Sequence, residues 1–283
     1  MSARPPQDLL DALLAAVAPL ESAVVAFSGG VDSSVVLAVA ARALGPRALG
    51  VTGVSPSLAA DEAADARRVA AAAGSALLLV ETDELDDPDY ASNGPDRCFH
   101  CKRGLYADCA RVATERGLRW ILNGTNADDV GDWRPGLRAA DDAGVRSPLL
   151  ECGLRKDDVR AVARLLGLPN WDKPAQPCLA SRLPYGTRVT RERLAAVEAV
   201  EAFLRRRGFR DVRARHLGEE VRLEVEPSRV PELQALRSDP ALAHAVRAAG
   251  FQHCTVQPDG LRSGRLNDVL RATGPLPPEA PAP

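Results

Sequence analysis

The strongest constraint in this 283-residue chain is a joint near its start. A short apolar run, Ala23 to Phe27, breaks at Ser28-Gly29-Gly30, and helical apolar spacing follows from Ser33 to Leu44. A strand that turns into a helix through two glycines brings the backbone close to whatever sits at the turn. It also aims the helix's unpaired first N–H groups there. The alternation continues. Ala48 to Val54 reads as a strand, Leu58 to Ala73 as a helix, Ala76 to Glu81 as a strand, Cys98 to Arg116 as a helix and Arg119 to Asn123 as a strand. This pattern predicts an α/β fold, a parallel sheet with helices on both faces, whose ligands bind at the carboxyl ends of the strands.

At about 150 residues per domain the length implies roughly two domains. The texture divides the chain into a first domain over residues 1–170 and an irregular, Pro-rich loop over 171–187 that carries Cys178. A small α+β domain follows over 188–271, then a Pro/Ala-rich tail over 272–283 expected to be disordered. Two long polar connections, Thr82 to Arg97 and Thr125 to Val145, interrupt the first domain. With 36 basic and 38 acidic residues the net charge is −2, so no global positive field recruits nucleic acid. No apolar stretch approaches the ~20 residues of a membrane span. The segment Leu9 to Leu20 is interrupted by Asp11 and reads as an amphipathic helix rather than a secretory signal, so the expected location is the cytoplasm. Six cysteines in a chain of this size do not make a disulfide framework. Cys109, Cys152 and Cys254 read as small hydrophobes, which leaves the C-x-x-C pair Cys98 and Cys101, and Cys178.

Ser28-Gly29-Gly30-Val31-Asp32-Ser33-Ser34 reads as an anion cradle: glycines for close approach, a helix N-terminus for dipole and N–H groups, and Ser33 and Ser34 as hydroxyl donors. It is neither a Walker A loop nor a G-x-G-x-x-G fingerprint. The plainer alternative is a tight turn capped by Asp32 or Ser33. A second candidate segment, Gly124-Thr125-Asn126-Ala127-Asp128-Asp129, follows the last strand. From Arg182 to Arg222 eleven arginines face six acidic residues. Arg213 and Arg215 alternate onto one strand face, where they could grip a phosphate. Together with Arg182 and Arg262 they are the candidates for the phosphate and carboxylates of a substrate.

The Ser28 to Ser34 string resembles the PP-loop of the ATP pyrophosphatase superfamily, whose members split ATP into AMP and pyrophosphate. That resemblance implies ATP at Ser28, Gly29, Gly30, Asp32, Ser33, Ser34, Gly124, Asn126 and Asp128, with Mg²⁺ on Asp128 or Asp129. Within the superfamily the chain resembles the LarE sulfur transferases of nickel-pincer nucleotide biosynthesis, over nearly its whole length to about residue 271. The matching strings are Arg97-Cys98-Phe99-His100-Cys101-Lys102, Asp132-Trp133-Arg134-Pro135-Gly136, Arg146-Ser147-Pro148-Leu149, Pro177-Cys178-Leu179-Ala180-Ser181-Arg182-Leu183-Pro184-Tyr185-Gly186 and Arg262-Ser263-Gly264-Arg265-Leu266-Asn267.

The resemblance implies that ATP activates the carboxylates of a pyridinium dicarboxylate mononucleotide, which are then converted to thiocarboxylates. One LarE subtype spends the sulfur of a single cysteine and is left with dehydroalanine. Another holds a 4Fe-4S cluster on three cysteines, with sulfide supplied from outside. The C-x-x-C pair favours the cluster, on Cys98, Cys101 and Cys178. Sacrifice of Cys178, a zinc site and a redox pair remain alternatives. At the level of function, a PP-loop tRNA thiolase and a non-enzymatic nucleotide-binding module are the other readings. The family resemblance also favours a homo-oligomer.

Overall fold

The computed structural model describes residues 4–130, 135–262 and 264–273. Asp132, Trp133, Arg134, Ser263 and all of the tail reading beyond Thr273 lie outside the described residues. Helix α1 (Pro6–Val17) carries the stripe Leu9, Leu10, Leu13 and Val17, one buried face at helical spacing. Then come β1 (Ala23–Ala26), α2 (Val31–Leu44), β2 (Ala48–Val54), α3 (Ala60–Ala72), β3 (Ala76–Glu81), α4 (Pro88–Ala91), α5 (Arg97–Arg116), β4 (Trp120–Leu122), α6 (Pro135–Asp142), α7 (Pro148–Glu151) and α8 (Lys156–Leu165). The second half holds α9 (Arg191–Arg206), β5 (Val212–Leu217), β6 (Glu220–Val225), α10 (Val230–Leu236), α11 (Pro240–Ala248), β7 (His253–Val256) and α12 (Asp268–Thr273).

These elements form two compact units. Among the described residues, one comprises 4–84 and 98–176, the other 85–97 and 177–273 without residue 263. The division therefore falls at Pro177, inside the stretch read as a connecting loop. The polar connection before α5 belongs with the C-terminal unit and contains a helical turn, α4.

In the first unit the strands are all parallel, in the order β3-β2-β1-β4. Because side chains alternate along a strand, β1 serves two layers. Ala23 and Val25 join a core with α1, α2, α3 and α8, while Val24 packs with Val51 of β2 and Cys109 and Val112 of α5. Helices thus cover both faces, as the pattern of the sequence predicts. Helix α2 buries residues around most of its circumference, the mark of a helix enclosed between layers. The chain runs outward from β1 through β2 to β3, then crosses back to put β4 on the other side of β1. That reversal opens a crevice at the carboxyl ends of β1 and β4. No helix among the described residues is long and apolar enough to cross a membrane.

In the second unit β5 and β6 form an antiparallel hairpin and β7 pairs parallel with β6. Helix α9 packs on β5 through Leu194, Val197, Val200 and Leu204, and Glu201 sits fully buried among them. Its carboxylate is fully used. It takes two bonds from Arg182 at 2.7 and 3.0 Å, one from Arg205 at 3.3 Å and one from the backbone N–H of Ala214 on edge strand β5 at 3.0 Å. Burying a carboxylate is costly unless it is paired and its lone pairs are satisfied, and here both conditions hold. Glu201→Ala leaves Arg182 uncompensated inside the unit and should lower the unfolding free energy by about 3–5 kcal/mol in urea titration.

Candidate functional site

The turn after β1 and the turn after β4 meet at the crevice. Gly29 has φ +74°, a conformation that a side chain strains, and a Cβ there would press on Ala66 of α3 at 3.4 Å. Gly124 is held more tightly still. A Cβ at this position would lie 2.6 Å from the Ser33 nitrogen and 2.9 Å from the Asp32 carbonyl carbon, both backbone atoms of the first turn of α2. Only glycine allows the two turns to touch.

The hydroxyls of the turn point inward. Ser33 Oγ donates to Gly30 O at 3.1 Å and accepts from the Ser28 N–H at 3.3 Å. Ser34 Oγ, fully buried, donates to Gly30 O at 2.7 Å and accepts from Asn170 Nδ2 at 2.9 Å. In this structure both hydroxyl hydrogens are committed to the turn, Ser33 and Ser34 each donating to Gly30 O. Gly30 at the N-cap supplies no side-chain cap to α2. Ser28 Oγ accepts from the Gly30 N–H at 3.3 Å, and among the described residues no N-cap side chain closes the first turn of α2 where it faces the crevice. That arrangement fits an anion, and phosphate in particular.

Around this turn lie groups that the sequence did not single out. Asn170 also donates to Gly29 O at 2.8 Å and so holds the flipped peptide in place. Lys156, at the start of α8, is ion-paired with Asp32. Asn126 Nδ2 donates to the other Asp32 oxygen at 3.2 Å. Asp128 accepts from the Lys156 N–H at 2.8 Å, while Asp129 accepts from the Asn126 N–H at 3.0 Å and so caps its own short turn. Asp32, Asn126, Asp128 and Lys156 are thus one connected cluster at the crevice. Asp128 is exposed and accepts from Lys156 through a single oxygen. Lys173 adds a further tie, pairing with Glu62 at 2.9 Å and Asp65 at 3.0 Å on α3. Burial works to raise the Asp65 pKa, but the hydrogen bonds from Lys173 and Arg68 prevail and lower it below the usual carboxylate range.

The cysteines separate into two kinds. Cys109 is buried in the core, and loss of solvation pushes its thiol up to about 12, which makes it inert. Burial likewise raises the Cys152 and Cys254 thiols. Cys98 is exposed and Cys101 half-buried, one turn apart at the start of α5 and so on one side of the helix. Cys178 is half-buried in the second unit, just ahead of the short turn Leu179–Arg182.

The arginines near Cys178 are not arranged as the sequence suggests. Arg182, 2% exposed, is taken by Glu201 and by the carbonyls of Pro177 at 2.6 Å and Cys178 at 3.3 Å. Arg215 bonds Glu224 at 2.9 and 3.1 Å and the Ser181 carbonyl at 2.7 Å. In this structure both guanidiniums bond within the unit and hold the Cys178 segment. Arg262 is exposed and paired with Asp268, which raises its pKa. Arg213 is buried, and desolvation followed by the like charges of Arg182 and Arg215 lowers its pKa.

A parallel sheet in the order 3-2-1-4, with a glycine turn after its first strand pressed by a second glycine turn at the strand-order reversal, is a PP-loop α/β domain. A family model described as asparagine synthase matches residues 8–149. An uncharacterized protein of Synechocystis is 42% identical over 251 residues, 89% of this chain and 94% of its own. Pyridinium-3,5-bisthiocarboxylic acid mononucleotide synthase of Lactiplantibacillus plantarum is 37% identical over 259 residues, 91% of this chain and 93% of its own. The tRNA-specific 2-thiouridylase MnmA of Xanthobacter autotrophicus is 34% identical over 194 residues, only 53% of this chain and 48% of its own. The chain belongs to the LarE family of PP-loop proteins.

The Gly124 contact yields a direct test. Gly124→Ala should weaken ATP binding about tenfold or more in calorimetric titration, because a backbone-to-backbone contact cannot give way cheaply. Gly104 on α5, where a Cβ meets nothing, is the control: Gly104→Ala should leave ATP affinity unchanged and stabilise the helix by about 0.5–1 kcal/mol.

Proposed function

We propose that the chain is an ATP-dependent sulfurtransferase of nickel-pincer nucleotide synthesis, acting on pyridinium-3,5-biscarboxylic acid mononucleotide in the cytoplasm as a homo-oligomer. The observation that carries this reading is the uncapped turn of α2, pressed by Gly124, in a chain that aligns over nine-tenths of its length with a synthase of the corresponding bisthiocarboxylic acid. A substrate carboxylate oxygen attacks the α-phosphorus of ATP, the α–β bond breaks and pyrophosphate leaves. A sulfur nucleophile then adds to the acyl carbon and AMP departs, giving the thiocarboxylate.

In this reading the Ser28-Gly29-Gly30 turn lets the phosphates approach the backbone closely, and the first turn of α2 adds its N–H groups and dipole. Asp128, with Asp129 or Asp32 beside it, would hold Mg²⁺, a hard cation that prefers such oxygen ligands and would neutralise phosphate charge. Asn126 orients Asp32, and Lys156 neutralises Asp32 until an anion with its metal arrives. Arg213 receives the substrate phosphate. A guanidinium desolvated beside Arg182 and Arg215 gains from a dianion more than a solvated one would. Arg262 at the surface is a second, weaker contact for that substrate.

Cys98, Cys101 and Cys178 are thiols that are not sunk in the core as Cys109 is, and they are the residues that would hold a 4Fe-4S cluster; with one iron left open, such a cluster would carry exogenous sulfide. Cys178 alone, as a spent donor, is the second reading. Its segment is ordered entirely by residues of its own unit, so it needs no partner thiol to be positioned.

Anaerobically purified protein should contain about four irons and show charge-transfer absorption that is absent from Cys98→Ala. Its mass should be unchanged after turnover. Iron-free protein that loses one sulfur mass at Cys178 on turnover would replace the cluster with sacrifice, and catalysis of thiolation on bulk tRNA would replace both. Arg213→Ala should weaken binding of the mononucleotide about tenfold or more and leave ATP affinity intact; equal loss of both would count against the phosphate role.

A further inference from the structure

An anion cradle must keep carbonyl oxygens away from the phosphates it holds, and the turn after β1 carries two glycine carbonyls. The Gly30 oxygen is occupied locally, by the hydroxyls of Ser33 at 3.1 Å and Ser34 at 2.7 Å and by the Ser34 N–H at 3.0 Å. The Gly29 oxygen depends on Asn170, whose Nδ2 donates to it at 2.8 Å; among the described residues no other side chain bonds it. Asn170 is 3% exposed and gives its second amide hydrogen to Ser34 Oγ at 2.9 Å. Both partners require a donor: a carbonyl can only accept, and the Ser34 hydrogen already goes to Gly30 O. An amide therefore fits this place, and a carboxylate of the same shape does not. A trans peptide points its C=O and the next N–H opposite ways, so an inward Gly29 oxygen sends the Gly30 N–H to the other side, where exposed Ser28 accepts it through Oγ. Asn170 is itself anchored. Its carbonyl accepts from the Lys173 N–H at 3.0 Å, and Arg160 of α8 donates to the carbonyls of Trp171 at 2.8 Å and Lys173 at 3.0 Å.

We propose that Asn170 is a positioning residue for the nucleotide: it holds the Gly29 carbonyl inside the unit and so keeps the PP-loop clear of an oxygen that would repel the ATP phosphates. The inference deepens the ATP reading of this turn and rests on it. Asn170 touches no phosphate in this account and acts through the Gly29 peptide. A peptide between two glycines needs such a pin, because neither residue has a Cβ to restrict its rotation. The pin is rigid because its turn is tied to α8 by Arg160 and to α3 by Lys173, through Glu62 and Asp65.

The test is calorimetric titration of the full chain with ATP and Mg²⁺ at about pH 8 and about pH 5.5. Each variant is compared with the wild type at the same pH, so that the titration of ATP itself cancels. Asn170→Asp keeps the shape and replaces both donors by acceptors, and it should bind ATP about tenfold or more weakly at the higher pH. Burial raises the pKa of a carboxyl placed there, and the neutral acid regains one O–H donor for Gly29. The deficit should therefore shrink to about threefold or less at the lower pH. Asn170→Ala, which cannot titrate, should show a deficit of about tenfold at both pH values, and it carries the test if the aspartate variant does not fold. Wild-type affinity in either variant at the higher pH would overturn the proposal. So would an Asn170→Asp deficit that does not change with pH, the mark of a merely structural loss. A wild type that binds no ATP would overturn the ATP reading together with the proposal, whereas normal wild-type binding with unaffected variants would remove the proposal alone.

Discussion

A helix whose first turn faces a crevice without a cap is a local deficit, since a side-chain cap at such a position is worth about 0.5–2 kcal/mol. Three serines surround the start of α2, yet Ser33 and Ser34 turn their hydroxyls back onto Gly30 and leave the helix end open. Much of the first unit's detail maintains that opening. Asn170 holds Gly29, Lys173 ties the following segment to α3, and Gly124 presses the second turn against the backbone of the first. On the proposed reading the deficit is put to use, since an incoming phosphate would supply the cap that no N-cap side chain provides.

The second unit meets the opposite problem, an excess of buried charge. Arg182, Arg213 and Arg215 lie in or near the interior with Glu201 and Glu224. Two carboxylates balance two of these guanidiniums, and the spare donors of that pair go to the carbonyls of Pro177, Cys178 and Ser181. Replacing such pairs by apolar side chains would often cost little stability. What apolar side chains could not do is bond successive carbonyls of an irregular segment. The ion pairs are thus better understood as the device that gives the Cys178 segment one conformation.

The strand and helix alternation and the glycine turn were legible because both are local: periodicity and turn chemistry lie within a few residues of one another. The observed elements fall within about two residues of their expected limits for β1, β2, β3, α5 and α8. The partners of charged groups were not legible. Arg182 finds Glu201 on another element, and Asp32 finds Lys156 across 124 positions of chain. Strand alternation put Arg213 and Arg215 on one face, but it could not show which carboxylates and carbonyls lie within reach of them. The polar stretch ahead of Cys98 misled for a related reason. Its composition says turn, but nothing in the string Asp87 to Arg97 says that it folds with residues beyond Pro177; that information is in the buried left-handed Asn93, which a sequence presents as one more loop asparagine.

Sulfur transfer to an acyl carbon makes a demand that explains the contrast among the thiols. The donor must be accessible, and it must also be held, because orientation within a fraction of an ångström can supply several kcal/mol of a reaction barrier. Cys109 is held but inaccessible, and its thiol stays protonated at any physiological pH. Cys178 meets both conditions: it is half-exposed, while the carbonyls on either side of it are fixed by guanidiniums rather than by water. A flexible loop would expose the same sulfur and lose the orientation. On the proposed reading, the rigidity built around the backbone of the Cys178 segment is the frame that sulfur transfer would need, whether the sulfur comes from outside or from Cys178 itself.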